Sequence, residues 1–190
     1  MTIANNRWQR CFVLGGARSG KSSLAERYAQ KCGLPVTYIA TAEAKDEEMA
    51  ARITHHQKQR PVHWQLVEAP TELAQAITRH SAENNCILID CLTLWLTNLL
   101  CQEIDIEDAK ARLIGAITGA PGKIILVSNE VGHGIVPMGE LSRSFIDQAG
   151  WLHQEVAKCC DRVDFIMAGL PLTLKAQPLP STVVKQESQR

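Results

Sequence analysis

The stretch from Gly15 to Ser22 most constrains what this chain can fold into. It reads Gly-Gly-Ala-Arg-Ser-Gly-Lys-Ser and matches the pattern G-x-x-x-x-G-K-[ST] at every constrained position. The apolar run Cys11 to Leu14 precedes it and a helical pattern from Leu24 to Ala29 follows it. A glycine-rich turn between a strand and a helix aims backbone N–H groups and the positive helix end at phosphate. The pattern therefore predicts a nucleotide-binding loop, in which Lys21 reaches the outer phosphates and Ser22 helps to hold Mg²⁺.

Apolar runs typical of β-strands recur along the chain, with helical patterns between most of them. Strands that are apolar on both faces and separated by helices predict an α/β fold, with a mostly parallel sheet and helices on both faces. Such a sheet binds ligands at the carboxyl ends of its strands. The predicted strands are Cys11 to Leu14, Val36 to Ala40, Trp64 to Val67, Cys86 to Ile89, Ile124 to Val127 and Val163 to Met167.

Length and composition predict one domain over residues 1–170, because a chain of 190 residues leaves little room for a second core. Residues 171–190 contain several prolines followed by polar residues, which predicts a loose tail. The 20 basic and 20 acidic residues cancel, which argues against nucleic acid as a partner. No apolar stretch is long enough to span a bilayer, so no transmembrane segment is expected. Seven cysteines without a C-x-x-C pair indicate reduced core residues and a cytoplasmic protein, rather than a cysteine zinc site.

Two acidic residues follow predicted strands. Asp90 closes the run Cys86 to Ile89, where a carboxylate beside a phosphate-binding loop gives Mg²⁺ a second support, most simply through water. Asp90 can instead, or in addition, cap the helix that begins near Leu92. Glu68 ends another strand and is either a solvent-facing charge or a ligand to a ribose or base.

A polar segment from Glu43 to Arg60 has a helical pattern and contains a histidine pair. At about 100° per residue, His56 shares the apolar stripe of Met49 and Ile53, whereas His55 projects roughly 120° away from it. His55 is therefore free to face a ligand, and a neutral imidazole can attack phosphorus to form a covalent phosphoramidate. An exposed histidine with no function is the alternative.

The stretch from Ser128 to Pro137 follows another predicted strand and should overhang the nucleotide end of the sheet. Its glycines, Gly132 and Gly134, permit close approach or movement. The polar side chains in the same stretch predict contact with an acceptor hydroxyl, and a plain glycine-containing turn is the alternative. These side chains are Asn129, Glu130 and His133.

Several motifs together resemble the bifunctional adenosylcobinamide kinase/adenosylcobinamide-phosphate guanylyltransferase family. The resemblance runs from about Cys11 to Gly169. It is carried by Gly15 to Ser22, Tyr-Ile-Ala-Thr-Ala at Tyr38 to Ala42, Glu-Met-Ala-Ala-Arg-Ile-Thr-His-His at Glu48 to His56, Arg-Pro-Val-His-Trp at Arg60 to Trp64, Leu-Thr-Asn-Leu-Leu at Leu96 to Leu100, and Ser-Asn-Glu-Val-Gly-His-Gly-Ile-Val-Pro at Ser128 to Pro137.

The resemblance implies a RecA-like P-loop NTPase fold and two successive reactions in cobalamin biosynthesis. ATP or GTP phosphorylates adenosylcobinamide, and GTP then gives GMP to the enzyme, which passes it to adenosylcobinamide phosphate and yields adenosylcobinamide-GDP. By the same resemblance His55 carries the GMP, and trimers are expected. The nucleotide contacts that it implies are Gly15, Gly16, Ala17, Arg18, Ser19, Gly20, Lys21, Ser22, Ala40, Thr41, Ala42, His56, Gln57, Lys58, Gln59, Glu68 and Asp90.

One segment departs from the family pattern, which tends to read Gly-Arg-x-Asn-Gln. Here the chain reads Gly150-Trp151-Leu152-His153-Gln154, a change expected to alter packing, a subunit contact or acceptor binding. Two other functions stay open on the residues alone. One is a simple P-loop kinase of small molecules in which His55 has no part, and the other is a nucleotide-hydrolysing switch or motor subunit.

Overall fold

The structure is a computed structural model that describes residues 8–43 and 61–176. Within these ranges the chain forms one seven-stranded sheet in the order β3-β2-β4-β5-β1-β6-β7. Neighbouring strands are parallel, except that β7 runs antiparallel to β6. The strands are β1 (Arg10–Gly15), β2 (Val36–Ala40), β3 (Gln65–Glu68), β4 (Cys86–Asp90), β5 (Lys123–Asn129), β6 (Arg162–Met167) and β7 (Leu170–Ala176).

Helices cover both faces of the sheet, as the apolar runs predict. Successive side chains of β1 point to opposite faces of the sheet and so belong to two core clusters. Phe12 packs in the cluster formed by four helices, and Val13 packs in the cluster formed by the helix that follows the phosphate loop. That helix is α1 (Lys21–Lys31). The four on the other face are α2 (Leu73–His80), α3 (Leu92–Cys101), α4 (Ile106–Gly119) and α5 (Glu140–Cys159).

A buried carboxylate joins α1 to the far edge of the sheet. Asp164 of β6 is fully buried and accepts hydrogen bonds from Tyr28 Oη at 2.8 Å and Thr173 Oγ1 at 2.7 Å. Arg162 Nε lies 2.6 Å from the same carboxylate and neutralises its charge. The helix that leads away from the phosphate loop is thus fastened to β6 and β7.

The structure corrects the expectation of a loose tail for residues 171–176. They belong to β7, which pairs with β6 through a two-residue turn at Ala168 and Gly169, whose φ angles are 52° and 78°. Pro171 argued against a strand, because proline has no backbone N–H to donate to a neighbouring strand. An edge strand accommodates a proline, since one of its sides has no neighbouring strand that needs a donor. Residues 177–190, the remainder of that predicted tail, lie outside the described residues.

Candidate active site

The phosphate-binding loop has a tightly determined backbone. Gly15 ends β1 with no room for a side chain, since a Cβ there would lie 2.6 Å from both Ile166 O and Ser19 Oγ. Arg18 and Gly20 have left-handed φ angles of 55° and 95°, which turn the chain into the first residue of α1. The loop therefore leads directly from a central strand to a helix N-terminus, the geometry that binds phosphate.

Lys21 lies over the loop rather than in solvent. Its side chain is buried, and Nζ donates a hydrogen bond to Gly16 O at 3.2 Å. Burial lowers the pKa of Lys21, and the negative charge of Asp90 opposes that shift. The negative charge of Asp90, at the end of β4, therefore acts on the ammonium group of Lys21.

The sheet register aligns the predicted nucleotide-binding strand ends along one edge. Ala40 at the end of β2 is level with Glu68 of β3 on one side and with Asp90 of β4 on the other. Gly15 is level with Asn129 of β5. The described residues predicted to bind nucleotide thus converge on the carboxyl edge of the sheet, and Glu68 is exposed there.

Asp90 does not cap the helix that follows it. The N-cap of α3 is Cys91, with no side-chain hydrogen bond at the cap, so that alternative for Asp90 is wrong. The backbone of Cys91, the residue after Asp90, is bound by Thr41. The buried Oγ1 of Thr41 donates to Cys91 O at 2.7 Å and accepts from Cys91 N at 2.8 Å. The Thr41 hydroxyl is therefore occupied within the protein, while a contact of its backbone with nucleotide stays a prediction.

Two buried side-chain oxygens at the loop have no hydrogen-bond partner within the described structure, Ser19 Oγ and Asn129 Oδ1. Asn129 Oδ1 belongs to the strand-end residue level with Gly15. An unpartnered buried acceptor is costly, so it suits a position that receives a donor from a ligand or from a metal-bound water. Ser22 and Asp90 are partly buried and carry oxygen atoms, the ligand type that Mg²⁺ prefers in proteins, so that a role of the two in holding Mg²⁺ stays a prediction.

The loop after β5 begins against the phosphate-binding loop and then becomes exposed. Glu130 N donates to Gly15 O at 3.0 Å, which fastens the first residue of the loop to the end of β1. His133 is exposed and its ring lies 5.9 Å from that of Phe165. The structure thus brings Asn129 and Glu130 to the nucleotide edge, while contact of either, or of His133, with an acceptor stays a prediction.

Sequence reasoning gave no role at this edge to three polar residues, Thr93, Ser128 and His153. All three are buried and hydrogen-bonded in series, from the start of α3 through β5 to the middle of α5. Burial lowers the pKa of His153, and the carboxylate of Glu130 opposes that shift. Two signals lay near them: Ser128 opens the stretch predicted to overhang the nucleotide end of the sheet, and His153 lies in the departure from the family pattern at residues 150–154.

The histidine pair lies outside the described residues. This includes His55, predicted to carry GMP, and the nucleotide contacts implied for His56, Gln57, Lys58 and Gln59. Most of the helix predicted from Glu43 to Arg60 lies outside them as well.

Comparison with known proteins shows which family the chain belongs to. A family model described as cobinamide kinase / cobinamide phosphate guanyltransferase matches residues 11–174. The chain belongs to this family. It is therefore an enzyme of cobalamin biosynthesis with kinase and guanylyltransferase activities, as the resemblance implies, and neither the simple kinase nor the switch or motor is favoured.

Two relatives agree over nearly their whole length. A bifunctional adenosylcobalamin biosynthesis protein CobP of Pseudomonas aeruginosa is 53% identical over 172 residues, which are 90% of this chain and 99% of that protein. A bifunctional adenosylcobalamin biosynthesis protein CobU of Salmonella typhimurium is 40% identical over 179 residues, covering 86% of this chain and 98% of the relative.

Among solved structures, the flagellar accessory protein FlaH of Methanocaldococcus jannaschii superposes with a TM-score of 0.50 at 14% identity. The match covers 89% of this chain and 79% of that one, and it concerns the fold alone. The RecA-like P-loop fold of this family member is thus confirmed. None of the helices within residues 8–43 and 61–176 is both long and apolar enough to cross a membrane.

Proposed function

We propose that both reactions use one nucleotide-binding edge, formed by residues Gly15 to Ser22 together with the ends of β2, β3 and β4. The observation that carries the proposal is the register that brings Asp90 and Glu68 level with Ala40. The backbone N–H groups of the loop and the start of α1 bind the phosphates, and Lys21 neutralises charge on the transferred group. Ala40, Thr41, Ala42 and Glu68 then contact the nucleoside part.

Mg²⁺ completes this site in the proposal. Ser22 would hold it directly and Asp90 would hold it through water, since Mg²⁺ retains several waters. When bound, the ion would neutralise negative charge on the phosphate oxygens. Two observations support a cation site here. Asn129 Oδ1 is a buried acceptor without a partner in the described structure, and the negative charge of Asp90 acts on Lys21.

The kinase acceptor is adenosylcobinamide, and ATP or GTP is the phosphate donor. We place the acceptor hydroxyl beside the loop after β5, which starts at Glu130 next to Gly15. A hydroxyl held there can attack the γ-phosphorus of a nucleotide on the phosphate loop. Asn129, Glu130 and His133 supply the polar contacts.

His55 is the nucleophile of the second reaction in this proposal. Its neutral imidazole attacks the α-phosphorus of GTP, the bond from that phosphorus to the bridging oxygen breaks, and pyrophosphate leaves. A phosphate oxygen of adenosylcobinamide phosphate then attacks the same phosphorus and breaks its bond to nitrogen. The product is adenosylcobinamide-GDP, and His56 through Gln59 add nucleotide contacts. The support is the histidine motif together with membership of the family.

We also propose a cytoplasmic homo-oligomer, a trimer by family analogy. Leu170, Leu172 and Leu174 lie on the edge strand β7 and are 66%, 62% and 59% exposed, an apolar surface suited to a subunit contact. All seven cysteines are free thiols, which suits a reducing compartment. Light scattering of the purified protein should give three times the monomer mass, and a monomer would contradict the trimer.

Labelling tests the covalent step. Incubation with Mg²⁺ and GTP labelled in its α-phosphate should attach acid-labile, alkali-stable label to the protein, and His55→Ala should abolish it. His63→Ala removes an exposed histidine of the same stretch of chain and should label like the wild type. Unlabelled protein that still phosphorylates cobinamide would contradict the histidine intermediate.

Lysine substitution tests the shared edge. Lys21→Ala should lower both reaction rates by about 10³-fold, because it removes charge stabilisation of the transferring phosphoryl group. Lys31→Ala, in the last turn of the same helix, should leave both rates within about two-fold. A variant that loses only one activity would indicate that the two reactions use separate nucleotide sites.

A further inference from the structure

One buried histidine beside this edge has no part in the function proposed above. His153, in the middle of α5, is 8% exposed. Its Nε2 lies 2.8 Å from Ser128 Oγ, and its Nδ1 lies 3.6 Å from Glu130 Oε2. Its ring also packs against Phe12, with 5.7 Å between ring centroids. Both ring nitrogens therefore face polar atoms at the carboxyl end of β5.

The polar atoms around His153 favour one position for the imidazole proton. Asn129 N donates to Thr93 Oγ1 at 2.7 Å, and the Thr93 hydroxyl can donate in turn to Ser128 Oγ at 3.0 Å. The Ser128 hydroxyl then donates to Nε2 of His153, which leaves the ring proton on Nδ1, directed at the Glu130 carboxylate. The opposite arrangement would direct a nitrogen lone pair at that carboxylate. In this arrangement the hydrogen bonds run from Asn129 N to His153, whose Nδ1 faces the Glu130 carboxylate across 3.6 Å.

Glu130 is the residue of this group that reaches the site. Its backbone N–H is bonded to Gly15 O, and its Oε1 accepts a hydrogen bond from Gly132 N at 2.6 Å. Its side chain is 20% exposed, so part of the carboxylate is open to an incoming group. A partly exposed carboxylate next to the first residue of a phosphate loop is placed to take a proton from an attacking hydroxyl.

We propose that Glu130 accepts the proton of the acceptor hydroxyl in the kinase step and that His153 is the positioning residue that orients Glu130. The inference rests on the proposed function, since it needs the acceptor beside the loop after β5. The hydroxyl oxygen attacks the γ-phosphorus, the bond from that phosphorus to the β,γ-bridging oxygen breaks, and the nucleoside diphosphate leaves. The hydroxyl proton passes to the Glu130 carboxylate and then to water.

Three substitutions of one residue test the positioning role. His153→Ala should lower kcat for cobinamide phosphorylation about 10-fold to 100-fold, with the KM for nucleotide changed less than about two-fold. His153→Asn places a polar atom where Nδ1 stood and should bring kcat back to within about three-fold of wild type. His153→Gln places its polar atoms at the distance of Nε2 and should not. Recovery with Gln and not with Asn would overturn the proposal, as would an unchanged kcat in His153→Ala.

A double-variant cycle tests whether the two residues act together. Glu130→Gln should lower kcat about 10²-fold to 10³-fold, and adding His153→Ala should cost little more, because His153 acts through a carboxylate already lost. Independent, multiplying losses would overturn the positioning role.

A control variant at the far edge of the sheet tests whether lower stability by itself reduces kcat. Thr173→Val removes the 2.7 Å hydrogen bond to the buried Asp164 and should lower the melting temperature while leaving kcat unchanged. A wild type that does not phosphorylate cobinamide would overturn the proposed function together with this inference. An active wild type that is insensitive to Glu130→Gln would overturn the inference alone.

Discussion

The phosphate-binding loop and the loop after β5 leave neighbouring parallel strands at the same edge, yet they are held in different ways. The first, residues 15–20, is determined by its own backbone, with Gly15 in contact with β6 and left-handed angles at Arg18 and Gly20. The turn between β6 and β7 supports it from outside, since Gly169 N donates to Ser19 O at 3.0 Å. The second, residues 130–139, is largely exposed. Its first residue is held by the hydrogen bond from Glu130 N to Gly15 O, and the Glu130 carboxylate accepts from Gly132 N and lies 3.6 Å from His153 Nδ1.

The difference decides whether the conformation of a loop can be predicted from the residues of the loop itself. A loop shaped by glycines and by its own backbone can be recognised in sequence, because each constraint falls on a residue of the loop. A contact between a loop carboxylate and a histidine on a later helix cannot, because the two residues are near each other only in the fold. Substitutions should therefore have different consequences in the two loops, and the following three predictions compare them.

The largest effect is expected at Gly15. Gly15→Ala places a Cβ 2.6 Å from a backbone carbonyl of β6, which cannot move aside as a flexible side chain could. We expect a loss of about 1–3 kcal/mol in the free energy of unfolding, measured in urea, and weaker nucleotide binding. Gly16→Ala is the control for stability, because a Cβ there would meet no atom within 4 Å. Equal stability of the two variants would contradict a close-packed strand end.

A smaller effect is expected in the second loop. Gly132→Ala places a Cβ 3.0 Å from Glu130 Oε1, so the carboxylate must move by a few tenths of an ångström. We expect kcat of the kinase reaction to fall about 3-fold to 10-fold with unchanged stability, because catalytic groups tolerate little displacement. Gly134→Ala has nothing within 4 Å of its Cβ and should keep kcat within about two-fold. If both variants lose the same activity, mobility of the loop matters rather than the place of Glu130.

The smallest effect is a pH dependence of stability. Burial lowers the pKa of His153 in the folded protein, so below about pH 6.5 the unfolded chain binds the proton more readily. The free energy of unfolding should therefore decrease as the pH falls, by at most about 1.4 kcal/mol per pH unit for this one proton. His153→Asn has no titrating group at this position. Urea unfolding from about pH 7.5 to 5 should show a steeper decrease for wild type, and parallel curves would contradict a neutral buried His153.

Much of the fold was predictable because its signals are local. The apolar runs and helical patterns predict the six parallel strands and helices on both faces. The position of Asp90 directly after a strand places it at the carboxyl edge of the sheet. β7 was missed because Pro171 counted against a strand, although Gly169 and the alternating leucines after it are the signals of a hairpin with an edge strand. The role of the Thr41 hydroxyl was missed because Cys91, its partner, is distant in sequence.

The sequence by itself determined the phosphate-binding loop, the α/β class, the family and the identity of the histidine proposed to carry GMP. Each depends on residue types at fixed local spacing, which needs no knowledge of distant contacts. Only the tertiary structure decided that Glu68, Ala40 and Asp90 lie level at one edge and that the turn between β6 and β7 supports the phosphate loop. It also decided that His153, on a later helix, faces Glu130, because strand register and helix packing bring together residues whose separation in sequence carries no signal of contact.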